Sequence, residues 1–332
     1  MNDDDDLARA LSRLDPAQTP LDAPIPLAAE RRAREFARTA PRARRRPVYA
    51  AWGSAAAVVV LVLAIVTGVL WMPSPPASAL TPQPLAFTSI PEDASQVIAQ
   101  AQQRLTDGSG PSSPERRSLS LGWYFSGSPD EAEATVFRRE WIDVQWNEDL
   151  SGSVVTTAAE ATNATGDTVP AGEPTPGTVV GDLQFVQNQF SPLSPTAPEP
   201  TVEAMRALVL TSTGAGDQLT AGDAMLGARA LLGEWTLTGP QQAALLEVVA
   251  EAPGLRVVGS AFDRLGRPVV GLAAVPSGLT TSEATLLLSA DTGRIVGFES
   301  ELLADNPNLK LPAGSITDYT LWDVSDRKAN SE

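Results

Sequence analysis

Between Val48 and Met72 the chain runs for twenty-five residues, VYAAWGSAAAVVVLVLAIVTGVLWM, without one charged side chain. In hydrocarbon a backbone must satisfy its own hydrogen bonds, and an apolar helix is the simplest way to do so. At a rise of about 1.5 Å per residue such a helix is roughly 37 Å long, enough to cross a core of about 30 Å with some tilt. Arg42, Arg44, Arg45 and Arg46 precede the run, and no Lys or Arg follows it until Arg104. That asymmetry predicts a cytoplasmic amino terminus and an extracytoplasmic bulk, the topology of a single-pass protein of the cell membrane. Trp52 and Trp71 stand near the two ends, where amphipathic rings favour the interface.

Two other readings share parts of this signature. A buried core helix needs neither this length nor the flanking arginines. A cleavable signal peptide finds a small-residue site in Ala77-Ser78-Ala79, but the apolar run is longer than the usual h-region of about 7–15 residues and follows a long leader. The expectation is a permanent anchor. The chain has no cysteine, so a lipid-modified lipoprotein is excluded.

Charge divides unevenly about the apolar run. Residues 1–47 hold ten arginines against eight carboxylates, and residues 31–46 alone hold eight arginines against Glu35. Residues 73–332 hold 14 basic and 32 acidic groups, a net charge of −18. An acidic exterior is poorly suited to nucleic acid or anionic headgroups, whereas the arginines suit an anionic inner leaflet. Lysine occurs only at Lys310 and Lys328, a usage associated with GC-rich bacterial genomes.

The leader 1–47 reads as a cytoplasmic segment with Leu7, Leu11 and Leu14 at helical spacing and Leu27 and Phe36 in a basic stretch. It serves either topology or the grip of a soluble protein partner. Residues 73–84 read as a proline-rich stalk. The exterior domain is expected over 85–325, with a tail at 326–332. Leu85–Thr88 suggests a short strand, and PEDASQVIAQAQQRL a helix from about Pro91 to Leu105. RRSLSLGWYFS, ATVFRREWIDVQW and SVVTTA read as three consecutive antiparallel strands. Residues 159–200, rich in Pro, Gly, Thr and Ala, read as a long, partly mobile surface loop with one apolar island, GDLQFVQNQF. Residues 201–251 read as helices, the last opened by the capping box Thr238-Gly-Pro-Gln241 and stopped by Pro253-Gly254. A strand meander closes the chain, with Gly266 and Gly293 in hairpin turns. Strands, then helices, then strands imply α+β: a curved antiparallel sheet with packed helices.

The chemistry is sparse. The chain has no histidine and no cysteine, which removes the commonest general base and zinc sites of the His/Cys kind. No phosphate-binding glycine loop occurs. Asn147-x-Asp149-x-Ser151-Gly152 imitates the start of a calcium loop, but the twelfth position is Ala158 where a bidentate Glu is needed, so a polar turn is expected. Glu140 with Asp143, or Glu148 with Asp149, are carboxylate pairs of the kind a glycosidase uses, though neighbours are expected among so many acids. Asn163-Ala164-Thr165 fits a glycosylation sequon, a frequent chance match. The expectation is a non-enzyme with no catalytic, cofactor-binding or metal-binding residue and no cofactor. Trp123, Tyr124, Phe125, Phe137, Trp141 and Trp146 form an aromatic cluster that alternation divides between two sheet faces. Both faces therefore want cover, by core or by a ligand groove.

In the order of its parts the chain resembles an uncharacterised actinobacterial family of single-span, anti-sigma-like membrane proteins. The stretches that carry the resemblance are the arginine-rich leader, the span, GWYFS, RREW, LTGPQQAALLEVVAEAPGLRVVG, FDRLGRPVVGL and DTGRIVGFE. The exterior part is similar to lipoprotein-carrier and sigma-regulator sensor domains. The resemblance implies a regulatory protein whose exterior domain senses a signal and whose leader holds a cytoplasmic partner such as a sigma factor. Unlike zinc-containing anti-sigma factors, this chain has neither His nor Cys. The alternative is an exterior lipid- or peptide-binding module that the membrane merely anchors.

The topology is directly testable. Reporter fusions at Pro16 are expected to be active in the cytoplasm and fusions at Asp326 outside. The opposite pattern, or a soluble fragment beginning at Leu80, would overturn the anchor.

Overall fold

Leu286, Leu287 and Leu288 are consecutive and all buried. Successive side chains of a strand point to opposite faces, so such a run requires cover on both sides of the sheet. The computed structural model describes residues 81–324 apart from 109, 126–135, 171 and 216–218. The chain divides into two units, Met1–Met72 and Pro73–Glu332, and every described residue belongs to the second. The leader, the apolar run 48–72, most of the stalk and the tail lie outside the described residues. Among the described residues no helix is long and apolar enough to cross a membrane.

The fold is α+β. Helix α1 (Ala94–Thr106) precedes three antiparallel strands, β1 (Arg117–Tyr124), β2 (Glu140–Trp146) and β3 (Gly152–Ala158). A two-residue hairpin, β4 (Ala161–Thr162) with β5 (Thr168–Val169), leads to β6 (Val179–Phe185). Helices α2 (Val202–Thr213), α3 (Ala221–Leu232) and α4 (Gly239–Glu251) follow, and then β7 (Arg256–Phe262), β8 (Pro268–Ala274), β9 (Ser282–Ser289), β10 (Ile295–Leu302) and β11 (Ile316–Leu321). Nine strands form one sheet in the order β6-β3-β2-β1-β11-β10-β9-β8-β7. Its pairings are all antiparallel, and β1 meets β11 with Leu121 opposite Leu321 and Trp123 opposite Tyr319.

Helix ends follow the capping residues. Asp93 with Gln96, Thr220 with Asp223 and Thr238 with Gln241 each close a capping box that satisfies otherwise orphaned amides. On the helix face Leu272, Leu286, Leu288 and Phe298 pack with Val97 and Ile98 of α1, Met225 of α3 and Leu245 of α4. On the second face Leu121, Trp123, Leu287, Val296, Tyr319 and Leu321 form a separate core.

Two expectations need correction. The stretch 159–200 is not one long loop, because β6 pairs with β3 and forms an edge of the large sheet, with Leu183 opposite Val154. Its apolar residues Val179, Val180 and Leu183 are exposed, so no burial pattern marks it as a strand and the backbone ladder supplies the pairing. Residues 85–88 do not form a strand of their own; Thr88 alone bridges to Ser260. The hairpin glycines are as expected, with φ of 73° at both Gly266 and Gly293. The two sites differ in space. A Cβ at Gly293 would stand 2.1 Å from the carbonyl oxygen of Ala101 in α1, whereas nothing lies within 4 Å of one at Gly266.

That difference sets the expected outcome of matched substitutions. Gly266→Val costs only the backbone penalty of about 1 kcal/mol. Gly293→Val also drives a side chain into α1 and loses more, measured as the gap between the two denaturation midpoints. Equal midpoints would show that the hairpin does not press on α1.

Candidate functional site

The second face of the sheet holds most of the aromatic side chains that the sequence places in one cluster. Trp123 meets Phe137 edge-on at 5.5 Å and stacks on Tyr319 at 6.2 Å, with Phe125 at 6.5 Å. Trp141 belongs to the same core. Tyr124 and Trp146 point to the helix face, as strand alternation requires. Tyr124 is 41% exposed there, with the Arg229 guanidinium 5.8 Å from its ring. Trp146 packs edge-on against Trp235 at 5.0 Å and stacks on Phe190 at 5.7 Å.

Beside the aromatic core lies a buried ion pair that no sequence pattern singled out. Arg264, in the turn between β7 and β8, donates from Nε and an Nη to the two carboxylate oxygens of Glu299 at 2.7 and 3.1 Å. The two side chains are only 10% and 5% exposed. The guanidinium also lies 4.5 Å from the Tyr319 ring centroid. Burial pushes the Glu299 carboxyl above the ordinary range, the Arg264 charge opposes that, and Asp263 and Glu301 add to it. Burial likewise pushes the Tyr319 hydroxyl up to about 12. Further along the face Arg256 pairs with Glu283, which stands opposite Glu301 across the strands. Glu301 is raised first by burial and then by Glu283.

A strap formed by residues 81–89 lies against this face. The Gln83 amide donates to the Ala164 carbonyl at 3.0 Å, and an Nη of Arg264 donates to the Gln83 carbonyl at 3.0 Å. Thr88 and Ser260 exchange both backbone hydrogen bonds, at 2.8 and 2.9 Å. Leu85 and Phe87 pack into the second core between these ties. The close approach requires glycine at 259, where φ is 126° and a Cβ would stand 2.2 Å from the Thr88 oxygen. The strap therefore links the β4–β5 hairpin, the buried ion pair and the β7 edge.

The other residues weighed for chemistry are consumed locally. Glu140 and Asp143 point to opposite faces, and Asp143 is held by Arg117 at 2.9 Å. Glu148 pairs with Arg116, while Asp149 accepts from the Ser151 hydroxyl, which holds its carboxyl below the ordinary range. Asn147 donates to the same hydroxyl at 2.9 Å, so the calcium-like stretch closes on itself as a polar turn. Asn163 is likewise tied to Thr165 and Asp167. An open apolar groove of about 700 Å³ lies near Leu105, Pro111, Pro198 and Pro240.

No family model matches the chain, and no curated protein sequence matches it. Among solved structures it is similar to a chain in the crystal structure of MucB in complex with MucA(peri), at 14% identity and a TM-score of 0.25, covering 69% of this chain and 54% of that one. The complex structure of Pseudomonas aeruginosa MucA/MucB gives 14% identity and a TM-score of 0.26, over 69% and 55% of the two chains. A putative outer membrane lipoprotein-sorting protein domain from Vibrio parahaemolyticus gives 9% identity and a TM-score of 0.22, over 72% of this chain and 100% of that domain. The matches thus span about half the length of the first two relatives.

The ion pair makes a sharp prediction. Glu299→Leu leaves a buried cation, costing about 3 kcal/mol, at the low end for such changes because Arg264 keeps the Gln83 carbonyl and the Tyr319 ring. Arg264→Met with Glu299→Leu is expected to be near neutral. Because the folded state holds the Glu299 proton more tightly than the unfolded one, the wild type loses stability relative to the double variant as pH rises above 4.5, the ordinary glutamate value. Urea midpoints across pH 4 to 8 check both the sign and the recovery.

Proposed function

We propose that this chain is a single-pass membrane protein with a cytoplasmic amino terminus, an anti-sigma-like regulator whose exterior α+β domain senses a signal. The leader with Leu7, Leu11, Leu14, Leu27 and Phe36 is its effector, holding a cytoplasmic protein such as a sigma factor. The observation that carries this reading is the strap. The end of the stalk and the residues after it are tied to the domain rather than left as a free tether, Gln83 by its amide to Ala164 and by its carbonyl to the Arg264 side chain, and Thr88 by two backbone hydrogen bonds to Ser260 of β7. A change on the second face that released Gln83 and Thr88 would lengthen the connection between domain and anchor. Coupling of this kind needs a ligand that binds the two strap states differently. The domain is assigned no catalysis, in keeping with a chain lacking histidine and cysteine.

A second reading, an anchored lipid- or peptide-binding module, is favoured by the open apolar groove of about 700 Å³. Within the helix face, by contrast, the wall residues Leu272, Leu286, Met225 and Phe298 are fully buried against one another, so an acyl chain would have to displace the helices.

The two readings separate in one experiment. Thr88 and Ser260 form a hydrogen-bonded antiparallel pair, whose Cα atoms lie about 5.5 Å apart, within disulfide range. With no native cysteine to interfere, Thr88→Cys with Ser260→Cys locks the strap on oxidation. Signalling predicts that the lock changes the same set of transcripts as deletion of residues 2–30, and that reduction reverses it. A transcriptome indifferent to both changes would leave the binding module.

A further inference from the structure

The large sheet is open and ends in two edges, β7 and β6. An edge strand presents a row of unpaired amides and carbonyls, which folded proteins normally cover or blunt with lysine, proline or a bulge. At β7 the strap supplies cover, since Thr88 takes up the backbone of Ser260, and Arg256 adds a charge. At β6 the pairing is one-sided: among the described residues β3 is the strand bonded to it. Its sequence, VVGDLQF, holds no lysine, arginine or proline and one charge, Asp182. Val179, Val180 and Leu183 are 56%, 44% and 59% exposed, an apolar edge of the kind that invites another strand. A bulge occupies one end, where Val180 has no partner because Val179 faces Thr157 and Gly181 faces Thr156. From Gly181 to Phe185 the ladder to β3 is regular.

The order of residues along this edge says what fits it. Two copies of one strand pair antiparallel about a two-fold axis only when the axis passes beside a residue, because opposed side chains must share a face. An axis at Asp182 sets two carboxylates directly opposite each other, which is destabilising. An axis at Gly181 sets Asp182 against Val180 and leaves two glycines at the centre. An axis at Leu183 sets Leu183 against Leu183, Asp182 against Gln184 and Gly181 against Phe185. The two carboxylates then stand on a diagonal of about 7–8 Å. Within one strand the Gln184 Nε2 already donates to the Asp182 Oδ1 at 2.6 Å, and in the pair each carboxylate gains a second glutamine amide opposite it. The missing side chain at Gly181 leaves room for the Phe185 ring of the other copy, the way an aromatic residue shields a glycine across a sheet. Val186, also exposed, comes level with Val180 of the other copy. In this one register the strand is complementary to itself in charge and in shape.

We propose that β6 is a homodimerisation edge, at which two copies of the chain pair Gly181–Phe185 antiparallel about a two-fold axis at Leu183 and join their sheets into one. Five residues span only about 17 Å. That strip is too narrow to bury the roughly 800 Å² per partner of a standard interface, so the dimer is weak and concentration-dependent. The proposal rests on this edge alone and is independent of the signalling reading.

The test uses the full chain, which has no native cysteine. Opposed residues of an antiparallel pair have Cα atoms about 4.5–5.5 Å apart, within disulfide range. Under mild oxidation at rising protein concentration, Leu183→Cys is expected to form a disulfide dimer, as is a mixture of Gly181→Cys with Phe185→Cys. Asp182→Cys by itself is expected not to. Leu279→Cys, exposed between β8 and β9, reports chance collision. Leu183→Lys sets two ammonium groups opposite each other and is expected to weaken dimerisation about fivefold or more in sedimentation, with the urea midpoint unchanged because the side chain is exposed. Capture through Asp182→Cys, or through Leu279→Cys as readily as through Leu183→Cys, would overturn the proposal. So would a chain that stays monomeric at every concentration, and exchange-protected amides along β6 would then show that something other than a second copy covers the edge.

Discussion

The pairing of β1 with β11 makes one sheet out of two. On one side stand β2, β3 and β6, on the other β10 to β7, and among the described residues this antiparallel seam is the strand pairing that joins them. It brings Leu121 opposite Leu321 and Trp123 opposite Tyr319, so the seam is also where the second core is densest. Its aromatic stack continues into the buried charges, since Tyr319 lies opposite Glu299 on the next strand and under the Arg264 guanidinium. On the helix face the same strand offers Asp318 to Arg229 of α3 at 2.6 Å, which ties the helical layer to the seam. Both faces of the domain therefore depend on a pairing between residues near its two ends.

Much of this was legible locally. Alternation in RRSLSLGWYFS, the Thr-x-x-Gln box at Thr238 and the turn glycine at 293 each express a short-range rule, and each element forms where the rule places it. The division of Trp141 from Trp146 follows from the same period of two. β6 was not legible as a strand because both of its faces meet solvent, so selection left no apolar rhythm in Val179–Phe185. The expected membrane span lies outside the described residues.

The site was less legible than the fold because it is made of long-range contacts. Arg264 sits in a sequence, Asp-Arg-Leu-Gly, that announces a hairpin turn and nothing more. Its partner Glu299 stands in a strand where an inward-facing acid reads as a break in the pattern, and that break is the one signal available in sequence. Gln242 gives no such signal, since a glutamine in the first turns of a helix is unremarkable until Ile295 claims its oxygen. All three residues lie in stretches that carry the resemblance, but those stretches read as a turn, a strand and a helix, and each residue acquires its role only when distant parts of the chain meet.

The strap also has a consequence for the order in which the molecule is made. Gln83 accepts from Arg264, a residue 181 positions later in the chain. At a synthesis rate of about 5–20 residues per second, roughly 10 to 35 seconds separate the appearance of these two groups. During that interval Leu85 and Phe87 have no second core to enter. Docking of the strap is thus among the closing events of maturation, and a nascent chain stalled before β7 would carry its first apolar anchors bare, a state suited to recognition by chaperones or proteases.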